Sequence, residues 1–217
     1  MPVSRALPVV FLAALLAGGF ARERPRPASD PPATPPFFLP RSGVLFASDF
    51  RSGRMDGWQP DRADCWSVKG GALRGALPDR KQLHSLIYAG AVEWTDYAVD
   101  LDLCQTRGVD KGVVVRVEKT HGIGVDLRGT GYNDAVMHRD AWPMGRAPAR
   151  NTAGVWHHLR VEARGDRYRV LVDGALVLDR ADPHHARPHG HIALAAYTGG
   201  VGACTVYYAN VVVTRLE

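Results

Sequence analysis

Only three cysteines occur in 217 residues, Cys65, Cys104 and Cys204, and no two form a C-x-x-C pair. That argues against a cysteine-built zinc site. Lysine is confined to Lys69, Lys81, Lys111 and Lys119, so the net charge of +5 is carried by arginine dispersed among Asp and Glu. A groove that tracks a nucleic-acid backbone needs a basic block interleaved with aromatics, and none exists; no nucleic-acid partner is expected. Beyond residue 40 no apolar stripe recurs at helical spacing and no internal repeat is present, which argues against a helical bundle or solenoid.

Long apolar runs are equally scarce. The one candidate, residues 6–20, is broken by Pro8, Gly18 and Gly19 and falls short of the roughly 20 residues a spanning helix needs. It follows Arg5 and ends in Gly19-Phe20-Ala21, with small residues where a signal peptidase cuts. Residues 1–21 therefore read as a secretory signal peptide, and the mature protein as secreted or resident in the cell envelope without a membrane span. Residues 22–41 are proline-rich and aperiodic, an extended linker in which Phe37, Phe38 and Leu39 are the first residues expected to pack. In an exported chain two of the three cysteines can pair, and spacing leaves all three pairings open. Nothing in the sequence fixes the oligomeric state.

Residues 42–217 are rich in short strands separated by Gly, Asp, Asn and Pro. Residues 97–104 alternate cleanly: Tyr97, Val99, Leu101 and Leu103 face one way, Ala98, Asp100, Asp102 and Cys104 the other. Strands are expected at 112–117, 122–128 and 135–139, and again at 156–164 and 167–172 around the two-residue turn Gly165-Asp166. Lys69-Gly70-Gly71 and Asp173-Gly174 mark further hairpins. The fold class is all-β, a sandwich or barrel. Trp58, Trp66 and Trp156 stand beside turns or at strand starts and are expected to plug the core.

The order of landmarks resembles the concanavalin A-like lectin/glucanase superfamily, nearest to laminin G-like domains and bacterial 3-keto-disaccharide hydrolase domains. The matching residues include Leu45-Phe46-x-x-Asp49-Phe50, Trp66-x-Val68-x-Gly70, Gly112-Val-Val-Val-Arg116, Trp156-x-x-Leu159-x-Val161-Glu162, Tyr168-x-Val170-x-Val172-Asp173-Gly174 and Val206-x-Tyr208-x-Asn210. The resemblance implies a two-sheet antiparallel jelly-roll sandwich. It also implies a carbohydrate groove on the outer, concave face of one sheet, to which the strands at 112–118, 122–128 and 135–139 contribute.

Period-two alternation then groups Val114 with Arg116 and Glu118, and Gly124 with Asp126 and Arg128. Arginine with a carboxylate can hold adjacent sugar hydroxyls, so Arg116, Glu118, Asp126 and Arg128 are the expected ligand-binding set. His138, Arg139, Trp142, Tyr132 and Tyr197 are expected at its rim and aromatic face. Glycosidic cleavage wants two carboxyl groups across the bond, and Glu118 with Asp126 is the pair this grouping offers. The glucanase motif Glu-x-Asp-x-x-Glu is absent, since its nearest counterpart, residues 100–105, carries Asp100, Asp102 and Gln105. The hydrolase-like segments are altered to Asp110-Lys-Gly112-Val and Ile123-Gly-Val-Asp126. The primary expectation is therefore a non-catalytic domain whose partner is a glycan or oligosaccharide. The alternatives are a 3-keto-disaccharide-type glycoside hydrolase and a laminin G-like protein-interaction module. No cofactor is required; a structural calcium is conceivable with Asp49 and Asn210 as oxygen ligands, although two fall short of a calcium shell. His184, His185, His189 and His191 read as a histidine-rich loop rather than a metal site.

Overall fold

The computed structural model describes residues 31–129, 131–140, 142–184, 187–200 and 202–217. The signal-peptide reading of residues 1–21 and His185 lie outside them. Fifteen strands form two antiparallel sheets. The seven-stranded sheet runs in the order β10 (Trp142–Pro148), β9 (Asp134–Arg139), β8 (His121–Arg128), β7 (Asp110–Glu118), β14 (His191–Tyr197), β5 (His84–Ala89) and β2 (Trp58–Pro60). The eight-stranded sheet runs β13 (Ala175–Ala181), β12 (Arg167–Val172), β11 (Trp156–Arg164), β6 (Tyr97–Arg107), β15 (Cys204–Arg215), β4 (Ala72–Leu77) and β3 (Trp66–Lys69). Its eighth strand, β1 (Val44–Ser48), pairs with the C-terminal half of β15. The sandwich is the expected jelly roll. Among the described residues no helix is long and apolar enough to cross a membrane.

The alternation in the sequence builds the core. Tyr97, Val99, Leu101 and Leu103 of β6 and Leu159 and Val161 of β11 face Val113 and Val115 of β7, Ile123, Val125 and Leu127 of β8, and Ile192 and Leu194 of β14 in one cluster. All are essentially without solvent contact. At about 25 cal/mol per Å² of apolar area, this burial is the dominant stabilising contribution. The hairpin turns behave as their residues dictate. Gly70, Gly71, Asp173 and Gly174 all have positive φ, which the two-residue turns joining β3 to β4 and β12 to β13 require. Trp58 and Trp66 are buried as expected, and the Trp66 Nε1 donates to Ser85 Oγ at 2.8 Å.

Four expectations need correction or refinement. First, β10 contains Pro143 and Pro148 and was not foreseen; it is an edge strand, where missing N–H donors cost no ladder bond. Second, Trp156 lies outside the sandwich, covering Cys104, Tyr207, Ala72 and Ala209 on the outer face of the eight-stranded sheet. Third, all three cysteines are free. Cys65 precedes β3, which β4 separates from Cys204 on β15. Two strand spacings, about 9–10 Å, exceed the Cα separation of about 7 Å that a disulfide tolerates. Cys104 points to the opposite face.

Fourth, the described part of the proline-rich segment is no free spacer. A proline-rich chain offers carbonyl acceptors and few donors, and the outer face of the eight-stranded sheet supplies the donors. Trp156 Nε1 donates to Pro32 O at 3.0 Å, Arg51 Nη2 to Pro35 O at 2.8 Å, and Asn210 Nδ2 to Pro35 O and Pro36 O at 3.1 and 3.2 Å. Phe37 is half-buried, whereas Phe38 and Leu39 remain exposed. Between strap and sheet lies a cavity of about 440 Å³ lined by Pro35, Pro36, Phe38, Asp100, Asp102 and His158 among others.

His158 is held there by two carboxylates, with Nδ1 2.9 Å from Asp102 and Nε2 3.2 Å from Asp100. Both ring nitrogens face acceptors only, which suits the imidazolium, and these bonds raise its pKa to about 9. The unfolded imidazole loses its proton near 6.5. The charge therefore stabilises the fold fully below about pH 6.5, and its contribution fades as pH rises through about 9. The melting temperature of the native protein should fall more steeply across that window than that of His158→Gln. Parallel melting curves would contradict this.

Candidate functional site

The outer face of the seven-stranded sheet is a grid set by strand register. In one row Tyr197 stands opposite Asp110, and Arg128 opposite Asp134. In the next, Ala195, Gly112, Asp126 and Val136 stand side by side across β14, β7, β8 and β9. A third contains Ala193, Val114, Gly124 and His138. Beyond β14, strand β5 adds His84, Leu86 and Tyr88 opposite Tyr197, Ala195 and Ala193. Ala195 and Gly112 thus form a low floor, with tyrosines along one side and a charged cluster along the other, while Ala193 has no solvent contact.

Glycine is required at 112. A Cβ there would land on the Val125 carbonyl oxygen, so β7 and β8 approach more closely than two substituted strands allow. Gly124 serves a different purpose. The space above it is filled by the His138 ring. His138 Nε2 lies 3.1 Å from Asp126 Oδ2 and its Nδ1 2.6 Å from the Asp140 carbonyl oxygen. Burial opposes charge on His138, but the Asp126 bond and charge outweigh it and raise its pKa.

Arg128 donates from Nε and Nη2 to the two oxygens of Asp134 at 2.7 and 2.8 Å, a bidentate pair that Arg146 reinforces. Despite burial, these guanidinium contacts hold the Asp134 carboxyl below the usual range. Tyr132 stacks on Arg128, the guanidinium 4.3 Å from the ring centre. A cavity of about 430 Å³ opens beside them, lined by Tyr132, Asn133, Asp134, Arg146, Ala147 and Pro148.

Asp110 is the least satisfied group on this face. One of its carboxyl oxygens is buried and unpartnered, with the Arg128 Nε no nearer than 3.9 Å. Burial raises its pKa, and the neighbouring Asp126 raises it further. Tyr197 is pushed up by burial and by the same two carboxylates, and its hydroxyl donates to Gln82 Oε1. Two adjacent carboxyls, a phenol, a guanidinium and an imidazole thus surround a floor of small residues. They can accept from and donate to neighbouring hydroxyls.

The structure brings together Asp126, Arg128, His138, Tyr132 and Tyr197 of the expected residues. Arg116 is elsewhere. The register slips between Val115 and Glu118, and Arg116 adopts φ 51° in that bulge. The alternation breaks there and the side chain turns inward to the end of the sandwich, 1% exposed. There it donates to Gly165 O, to Arg187 O at 2.7 Å and to Asp96 Oδ1 at 2.9 Å, and lies over the Tyr168 ring. Glu118 is exposed at the strand end, opposite His121, and Asp110 rather than Glu118 stands diagonally across from Asp126.

Arg139 sits on the core side of β9 and binds Asp182 at 2.6 Å. Trp142 is 70% exposed at the start of the edge strand. Asp49 accepts from the Arg51 amide, while Asn210 holds the strap and Asp102. Among the described residues no group of three His, Cys, Asp or Glu is placed to hold a metal ion. Asp110, Asp134, Arg146 and Gln82 were not singled out from sequence. Extending the alternation of β7 two residues upstream of Gly112 reaches Asp110; nothing local marks Gln82.

If Asp126 carries the His138 proton affinity, Asp126→Asn lowers the His138 titration midpoint. Histidine ring resonances followed by NMR against pH should show a downward shift for His138 alone. An unchanged midpoint would refute the pairing.

A model of the 3-keto-α-glucoside-1,2-lyase-like domain matches residues 45–214. No curated protein matches the chain in sequence. Among solved structures, carbohydrate-binding module CBM66 from Bacillus subtilis is similar at 20% identity and TM-score 0.61, covering 74% of this chain and 96% of that one. The Emp47p carbohydrate recognition domain is similar at 12% identity and TM-score 0.59, covering 83% and 100%. The Crh5 transglycosylase, solved in complex with NAG, is similar at 13% identity and TM-score 0.60, covering 82% and 88%. At these identities the likeness is one of fold.

Proposed function

Because the chain belongs to the 3-keto-α-glucoside-1,2-lyase-like domain family, we propose that it binds a glycoside on the outer face of its seven-stranded sheet. The observation that carries this reading is the convergence of Asp110, Asp126, Arg128 and Tyr197 around Ala195 and Gly112. A sugar ring presents an apolar C–H face and a rim of paired hydroxyls. Small floor residues let the ring approach the backbone, tyrosine supplies a flat apolar wall, and ionised oxygens and a guanidinium meet the hydroxyls with charge-assisted bonds. The carbohydrate-related neighbours support the same reading. The cavity beside Tyr132 offers space for a second residue of an oligosaccharide. Residence outside the cytoplasm belongs to this proposal, on the strength of the apolar N-terminal segment.

A second reading, catalysis, is favoured by one observation: Asp110 has its proton affinity raised beside a carboxylate partnered by His138. A 1,2-elimination from a 3-keto-glycoside needs two proton transfers. A base takes the C2 proton, which the adjacent ketone acidifies; the electron pair forms the C1–C2 double bond as the C1–O bond breaks, and an acid protonates the leaving oxygen. Asp126 suits the base and Asp110 the acid. Titration calorimetry with methyl glucosides and their 3-keto forms tests both readings. We expect Asp126→Asn and Tyr197→Ala each to weaken binding about tenfold or more, roughly 1.4 kcal/mol. Binding unaffected by either change overturns the site. Appearance of an unsaturated sugar with the native protein but not with Asp110→Asn supports catalysis; binding without turnover confines the protein to recognition.

A further inference from the structure

Lys111 is the anomaly of the core. It follows Asp110 on β7 but, being one residue out of phase with the outer face, points between the sheets. Its side chain is 0% exposed and its Nζ has no hydrogen-bond partner. An ammonium left without partners in an apolar interior is costly, and burial lowers its pKa to about 8, leaving an appreciable share of neutral amine near neutral pH. Near it stands Cys204 on β15, in the opposite sheet, a thiol with no solvent contact. A Cβ placed on Gly108 would lie 3.1 Å from the Cys204 Cα and 3.1 Å from Lys111 Nζ. The amine is therefore no farther than twice that distance from the Cys204 backbone, within reach of its side chain. The charges of Lys111 and Cys204 also influence each other.

We propose that Lys111 and Cys204 form a redox-dependent covalent crosslink in which one oxygen atom joins the lysine nitrogen to the cysteine sulfur. The oxidant is dioxygen, small and apolar enough to enter the core. One N–H and one S–H bond break, N–O and O–S bonds form, and the two hydrogens leave with the second oxygen atom as water. Nitrogen and sulfur each give up two electrons, and dioxygen takes four. The product is neutral, so it removes the unpartnered ammonium from the interior. It also ties the seven-stranded sheet to the eight-stranded one, a connection that the three cysteines cannot make among themselves. Excess thiol reverses it: four added thiols are oxidised to two disulfides as the link returns to amine, cysteine thiol and water. Because the Lys111 charge counteracts the rise in Asp110 proton affinity, oxidation would be felt at the neighbouring outer face as well.

The test is peptide mapping of the full chain after incubation in air and, in parallel, without oxygen. The expected result is a crosslinked peptide pair containing Lys111 and Cys204, about 14 Da heavier than its two components together, formed only in air and lost on thiol treatment. Lys111→Met and Cys204→Ala should each abolish it. Should those variants fail to fold, the native map still decides. Recovery of Cys204 from the aerated protein as a free thiol, as a sulfinic acid or as a disulfide overturns the proposal.

Discussion

The outer face of the seven-stranded sheet depends on one close approach, that of β7 to β8 at Gly112. No side chain other than hydrogen fits against the Val125 carbonyl. The two strands therefore close up where Asp110 and Asp126 stand diagonally across the pair. Burial and the neighbouring Asp126 charge together raise the proton affinity of Asp110. The remainder of the cluster answers that charge: Arg128 from β8, His138 from β9 and the Tyr197 phenol from β14. A methyl group at 112 would separate the strands and with them the carboxyls.

The two outer faces are built from similar residues to different effect. On the eight-stranded sheet Asp100, Asp102, His158, Arg160, Glu162 and Arg169 neutralise one another in a ladder of ion pairs, and the proline-rich strap covers part of it. On the seven-stranded sheet the charges are less completely matched. Arg128 is committed to Asp134, which leaves Asp110 with a buried oxygen that has no hydrogen-bond partner. Buried polar groups are normally satisfied, and a carboxyl left short beside a small-residue floor marks where a ligand hydroxyl would complete the network. A fully paired face has little to offer a ligand.

The sandwich was legible because its signals are local. Period-two alternation placed β6 and β8 on the correct faces, and Gly-containing turns fixed the hairpins at 70–71, 165–166 and 173–174. The shared face of Asp126 and Arg128 was legible for the same reason, since both keep their phase within a regular strand. Arg116 and Glu118 were misplaced because a bulge leaves no mark in a run of valines, and one slipped residue reverses every face beyond it. Strand β10 was hidden by prolines that only an edge position tolerates. Trp156 and the strap were missed because Trp156 with Pro32 and Asn210 with Pro35 join residues more than a hundred positions apart, which no window along the chain brings together.

The most direct measurement is a backbone NMR titration of the protein with a glucoside, mapping amide shifts onto the two sheets. The account predicts that the largest changes fall on Gly112, Asp126, Ala195 and Tyr197, with the amides around His158 and Asn210 unmoved. Shifts concentrated on the eight-stranded sheet or on the inter-strand loops would contradict it.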